Sequence, residues 1–137
     1  MKLKEQYQEQ KIKNLYHVIL IKSGNFYLTF SEDAIIFNYL FNYQIKEDKV
    51  GFPINSIDKI LFELREKQLN YIIIDSNETN PIQYTEYSIE SYQKILGIAQ
   101  KYELEQNNNK ALIQRIQYLI SINPNNYNKI KRFIDEL

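Results

Sequence analysis

The sequence predicts a mixed α/β unit followed by a bundle of about three helices. Three observations carry this expectation. Residues 17–22 and 71–75 are nearly unbroken apolar, β-branched runs, as strands inside a sheet are. Segments with apolar residues at helical spacing alternate with the strand-like runs up to Asp75, the order of a mixed α/β unit. Beyond a polar, proline-containing stretch at 76–88, only helical stripes remain. The expected organisation is therefore an α/β domain over 1–75, a linker over 76–88 and a helical extension over 89–137.

Each element has a local reason. Residues 3–14 carry a weak apolar stripe, Leu3 and Tyr7, and predict a marginal first helix. The strand at 17–22 ends at Ser23-Gly24-Asn25, a turn signal, and residues 26–30 return as its hairpin partner. Ser31 is the expected N-cap of a helix to about Phe41, with Glu32 and Asp33 favoured by the helix dipole. Residues 44–52 predict a second hairpin turning at Glu47-Asp48. Gly51-Phe52-Pro53 breaks the chain, and Ser56 is the expected cap of a helix with Ile57, Ile60, Leu61 and Leu64 on one face. In the C-terminal part, helices are expected over about 89–105 and 110–122, separated at Asn107-Asn108-Asn109. A third follows Asn123-Pro124, with Pro124 at the first helical position.

Composition excludes several functions. Lys+Arg and Asp+Glu are both 17, so bulk positive charge does not drive nucleic-acid binding. Cysteine is absent, which removes disulfides, a thiol nucleophile and Cys-ligated zinc. The three glycines, Gly24, Gly51 and Gly97, are followed by Asn25, Phe52 and Ile98, so neither a P-loop nor a GxGxxG phosphate cradle can be built. No nucleotide or other cofactor is expected. His17 is the single histidine and lacks metal partners, so no metal site is expected. The acidic pairs Glu32-Asp33 and Glu47-Asp48 are accounted for by a helix start and a turn, and no catalytic set emerges. No apolar run reaches membrane-spanning length, and the N-terminus lacks a signal-peptide core, so a cytoplasmic protein is expected. Heavy use of Ile, Lys, Asn and Tyr with little Arg reads as the codon bias of an AT-rich, bacterial genome.

Residues 3–75 resemble the N-terminal mismatch-recognition domain of the MutS family. Four features match in order and spacing: Glu5-Gln6-Tyr7 in the first helix, Gly24-Asn25-Phe26-Tyr27-Leu28-Thr29-Phe30 against the family's Gly-Asp-Phe-Tyr-Glu-x-Phe, Glu32-Asp33-Ala34 at a helix start, and Gly51-Phe52-Pro53 before an Ile/Leu-rich helix. The resemblance implies a DNA-binding module for mismatched or distorted duplexes. In that family the motif's Phe wedges against a mispaired base, which unstacks cheaply and lets the duplex kink over more protein. The wedge position corresponds to Phe26. The family's base-bonding Glu corresponds to Leu28, which has no hydrogen-bonding group.

Strand alternation puts Phe26, Leu28 and Phe30 on one face. With Leu at the middle position, that face reads as one to be covered, by the C-terminal helices or by a partner protein. The basic loop the family carries before Gly-x-Pro is reduced here to Lys46-Glu47-Asp48-Lys49. The candidate DNA-contacting residues are Phe26 and Asn25 at the turn, with Lys22, Lys46 and Lys49 as phosphate contacts near the hairpin ends. Two function classes stay open: a DNA-binding module, and a protein-interaction or regulatory module reusing the fold. The C-terminal stripes need a surface to cover them. The α/β unit, a protein partner or a second copy of the chain would each serve.

Overall fold

The computed structural model describes residues 2–78 and 80–137. Met1, at the head of the expected first domain, and Thr79, in the expected linker, lie outside them. The elements are α1 (Leu3–Lys13), β1 (Val18–Ser23), β2 (Phe26–Phe30), α2 (Ser31–Phe41), β3 (Lys49–Pro53), a 3₁₀ turn (Ile54–Ser56), α3 (Ile57–Glu66), β4 (Tyr71–Asp75), β5 (Ile82–Tyr84), α4 (Ile89–Ile122) and α5 (Asn125–Asp135). The strands form one sheet in the order β3-β2-β1-β4-β5. The β1–β4 pair is parallel and the other pairs are antiparallel. The mixed α/β class is the one the sequence predicts. The apolar runs read as buried strands are β1 and β4, both paired on their two sides.

Packing divides the chain into two compact units, Met1–Lys101 and Tyr102–Leu137. In the first, side-chain alternation sorts the sheet into two apolar faces. Val18 and Leu20 of β1, Tyr27 of β2 and Tyr71 of β4 face α2, α3 and the start of α4, where Tyr92 and Ala99 are buried. Ile19, Ile21, Phe30, Ile72 and Ile74 face the other way, onto Leu3 and Tyr7 of α1. The cover over the Phe26–Leu28–Phe30 face is thus α1, not the C-terminal helices. Two residues of α1 with a long apolar reach suffice, because Phe26 projects beyond the covered area.

The stretch expected as a linker contributes β5, which pairs Tyr71 with Tyr84 and stacks their rings at 5.1 Å. Buried Asn70 fixes the chain after it. Its side-chain oxygen accepts the Glu86 and Tyr87 N–H groups, and its amide donates to the Tyr87 carbonyl. Three C-terminal helices were expected and two form. Asn107-Asn108-Asn109 lies inside α4, because asparagine weakens a helix interior by only some tenths of a kcal/mol and is not a breaker as proline is. Asn123 does bond the Asn125 N–H at the head of α5 (3.1 Å).

Two local expectations also change. Ser31 is not a cap. It is the first helical residue, at φ 51°, and its hydroxyl and N–H bond the side chain and carbonyl of Asp48. The turn at Glu47-Asp48 forms with both residues at positive φ, the type I′ form of a two-residue hairpin loop. Its N-terminal arm is a single bridge, Lys46 to Lys49, rather than a strand.

Candidate nucleic-acid interface

The β1–β2 connection is the two-residue loop Gly24-Asn25, closed by the Ser23–Phe26 pair. Gly24 has φ +60°, a region a side chain disfavours, and a glycine at the first loop position suits a hairpin turn whose twist matches the strands. The loop is held from outside as well: the Asn25 carbonyl accepts the Ile54 N–H (3.1 Å). On the same side Phe26 is in register with Pro53 of β3, the residue before Ile54. Gly51-Phe52-Pro53 thus runs beside the turn that carries the aromatic.

Phe26 is 52% exposed at this tip. Its neighbour Tyr27 points to the opposite face and is buried, stacked on Phe52 (5.6 Å), which also stacks on Phe37 and Tyr43. Thr29 bonds the Ile19 carbonyl across the hairpin. The strand is therefore anchored at every second residue while its first aromatic stays free. Leu28 returns to the Phe26 face, half-buried against the α1-side core. It lies over Gly51, where an added Cβ would sit 3.0 Å from Leu28 Cδ2.

The five candidate residues do not form one cluster. Asn25 and Phe26 adjoin at the turn, both exposed. Lys22 is in register with Tyr27 and Asp75, on the opposite face of the sheet from Phe26, so it and an acidic neighbour share that surface. Lys46 and Lys49 flank the Glu47-Asp48 loop. Lys49 pairs with Phe30, at the far end of β2 from Phe26, roughly 13 Å along the strand. The three lysines thus lie at the ends of two different hairpins, Lys22 by the Gly24-Asn25 turn and Lys46 and Lys49 at the Glu47-Asp48 loop.

A second constellation escaped the sequence. Asp33 is 0% exposed. Its carboxylate accepts from the Tyr7 hydroxyl (2.9 Å), the Tyr92 hydroxyl (2.7 Å), Lys11 Nζ (2.9 Å) and the Ile19 N–H (3.1 Å). Lys11 also donates to the His17 carbonyl and lies 4.5 Å over the Tyr92 ring. Burial first, and then the Asp33 charge, push both tyrosine hydroxyls far above their ordinary range. Burial and the nearby Lys11 lower the His17 pKa, and its ring Nε2 meets Thr85 Oγ1 at 2.7 Å. Every group in this set has its partner, so it is an anchor rather than a reacting centre. By sequence Glu32-Asp33 marks only a helix start, and no spacing rule links Tyr7, Lys11, Asp33 and Tyr92 along the chain. Among the described residues no group of three or more His, Asp or Glu converges on a metal-sized site. No described helix is long and apolar enough to cross a membrane.

A mixed sheet with an aromatic held at the tip of its first hairpin, beside a Gly-x-Pro strand, defines a small recognition domain of the mismatch-repair type. The family model for MutS domain I matches residues 1–116 of the 137, and the chain belongs to that family. At family level it is a MutS-like mismatch-recognition domain, a class of DNA-recognition domain without catalytic activity of its own. No curated protein matches the chain.

Proposed function

We propose that this chain binds mismatched or otherwise distorted duplex DNA, without nucleotide hydrolysis, by setting Phe26 against an unstacked base step. The observation that carries the reading is the half-exposed ring of Phe26 on a turn closed by its own hairpin pair and held by the Pro53-Ile54 segment. An apolar wedge needs a weakened step to enter, which makes the wedge selective for mismatches. Asn25 beside it supplies the only side-chain amide of the turn. Lys46 and Lys49, roughly 13 Å further along β2, reach phosphates about four steps away on one strand, at about 3.4 Å per step. Lys22 adds charge from the other face.

The test is fluorescence anisotropy of the full chain on short duplexes with and without a single mismatch. Affinity in the non-specific range, roughly 10⁻⁴–10⁻⁶ M and falling with salt, is expected, with tighter binding to the mismatch. Phe26→Ala removes the preference. Equal binding to both duplexes, unchanged by Phe26→Ala, overturns the reading.

The second reading, a protein-interaction or regulatory module, is favoured by one observation: no residue of the Tyr102–Leu137 unit is buried.

A further inference from the structure

The Tyr102–Leu137 unit consists of the C-terminal part of α4 and of α5. The two are joined by Asn123-Pro124, and α5 folds back beside α4. Asn126 Nδ2 bonds the Leu119 carbonyl (2.7 Å), and Ile116 and Ile120 share an apolar groove with Tyr127, Ile130 and Ile134. This pairing leaves the apolar stripes largely open. Leu112, Ile113, Tyr127, Phe133, Ile134 and Leu137 are each more than half exposed. At roughly 100–170 Å² apiece these six side chains offer on the order of 800 Å², one partner's share of a standard interface.

Charge decides what covers them. Residues 115–132 contain Arg115, Lys129, Lys131 and Arg132 and no acidic residue. The rest of the unit contains Glu103, Glu105, Asp135 and Glu136 and one cation, Lys110. At about 1.5 Å of rise per residue, the first group lies within about 12 Å of the interhelical turn and the acids about 16–30 Å from it. The helix pair is thus basic at its turn end and acidic at its open end.

We propose that this unit is the subunit interface of a homodimer, in which a second copy lays its helix pair antiparallel on the first and closes a four-helix bundle about a two-fold axis. The antiparallel arrangement sets each basic end on the partner's acidic end, whereas a parallel one sets cation on cation. The two apolar stripes become one bundle core, the layer that a lone helix pair lacks. The proposal is independent of DNA binding and goes beyond it. By helical spacing Glu105 and Arg115 border the α4 stripe, and Lys131 and Asp135 border that of α5.

Sedimentation equilibrium of the full chain tests the proposal. Twice the 16.5 kDa chain mass is expected at tens of micromolar, a concentration range set by roughly micromolar affinity. The doubly reversed Glu105→Lys/Asp135→Lys chain dimerises at least about tenfold more weakly, with helical circular dichroism unchanged. Adding Arg115→Glu and Lys131→Glu in the same chain restores the dimer. A 16.5 kDa species persisting to about 100 μM overturns the proposal. So does a dimer indifferent to the first reversal, or one the second fails to restore.

Discussion

The Tyr92 hydroxyl donates a 2.7 Å hydrogen bond to the Asp33 carboxylate across 59 positions of chain. Through it the first turns of α4 are tied to the start of α2, and through Tyr7 and Lys11 the same carboxylate holds α1. Asp33 therefore joins elements from both faces of the sheet at one buried point.

Removing that point leaves the part-buried Lys11 ammonium without its counter-ion and the buried Ile19 N–H without its acceptor. Asp33→Ala is expected to cost about 3–5 kcal/mol of unfolding free energy. Tyr92→Phe, which keeps the ring but deletes the bond to the Asp33 carboxylate and the one accepted from Lys11 (3.0 Å), costs about 3 kcal/mol. Urea titrations followed by far-ultraviolet circular dichroism measure both.

Stability should fall at both ends of the pH range. The folded state holds the Tyr7 and Tyr92 protons far more tightly than the unfolded chain, where tyrosine titrates near 10. Their contribution is complete below about pH 10 and is lost as pH rises beyond it. His17 behaves in the opposite sense, because its folded pKa is lowered. Its contribution is present above about pH 6.5 and declines as pH falls toward the folded value. Melting temperatures from pH 5 to 11 should show both slopes. Tyr7→Phe with Tyr92→Phe flattens the alkaline one, and His17→Gln flattens the acid one.

Leu28 and Gly51 should couple. A methyl group at position 51 meets Leu28 Cδ2 at 3.0 Å, so Gly51→Val destabilises by about 1–3 kcal/mol. Leu28→Ala in the same chain recovers part of that loss, which a double-mutant cycle on unfolding free energies measures. Leu28→Glu restores the acceptor that the MutS-type turn carries. If Phe26 enters the stack, that variant raises the ratio of mismatch to matched binding, read by anisotropy.

Truncation separates the parts of the chain. Ending it after Lys101 retains Tyr92 and Ala99 in the core, and the fragment stays folded and cooperative. Ending it after Asp75 removes β5 and both of those buried side chains, uncovers the apolar surface on which the start of α4 packs, and promotes aggregation. Light scattering and thermal melts distinguish the two fragments.

The sheet was legible because its signals are local. Two β-branched runs, a Gly-Asn turn and a Gly-x-Pro break fix β1, β2, β3 and β4 without reference to anything distant. Of the elements that escaped, β5 depends on distant partners. Ile82-Gln83-Tyr84 is a strand because Tyr71 stacks on Tyr84 and Asn70 pins the following turn, neither visible in a polar segment containing Pro81. Asn107-Asn108-Asn109 reads as a stop by composition, yet helix formers on both sides carry α4 through it. At the candidate interface, Phe26 was placed by its motif. The scatter of Lys22, Lys46 and Lys49 follows from strand register, which alternation alone could have shown for Lys22 but not for the bridge that places Lys46.

The two outer strands of the sheet bear on how the molecule avoids fibrillar growth. β3 carries Lys49 at one end and Pro53, which has no N–H to give, at the other, with Gly51 between. β5 is three residues long and extends a neighbouring ladder by only about 10 Å. Neither margin is a template on which another backbone can zip. Association between copies is thereby steered away from open-ended strand addition and toward side-chain contacts that can close.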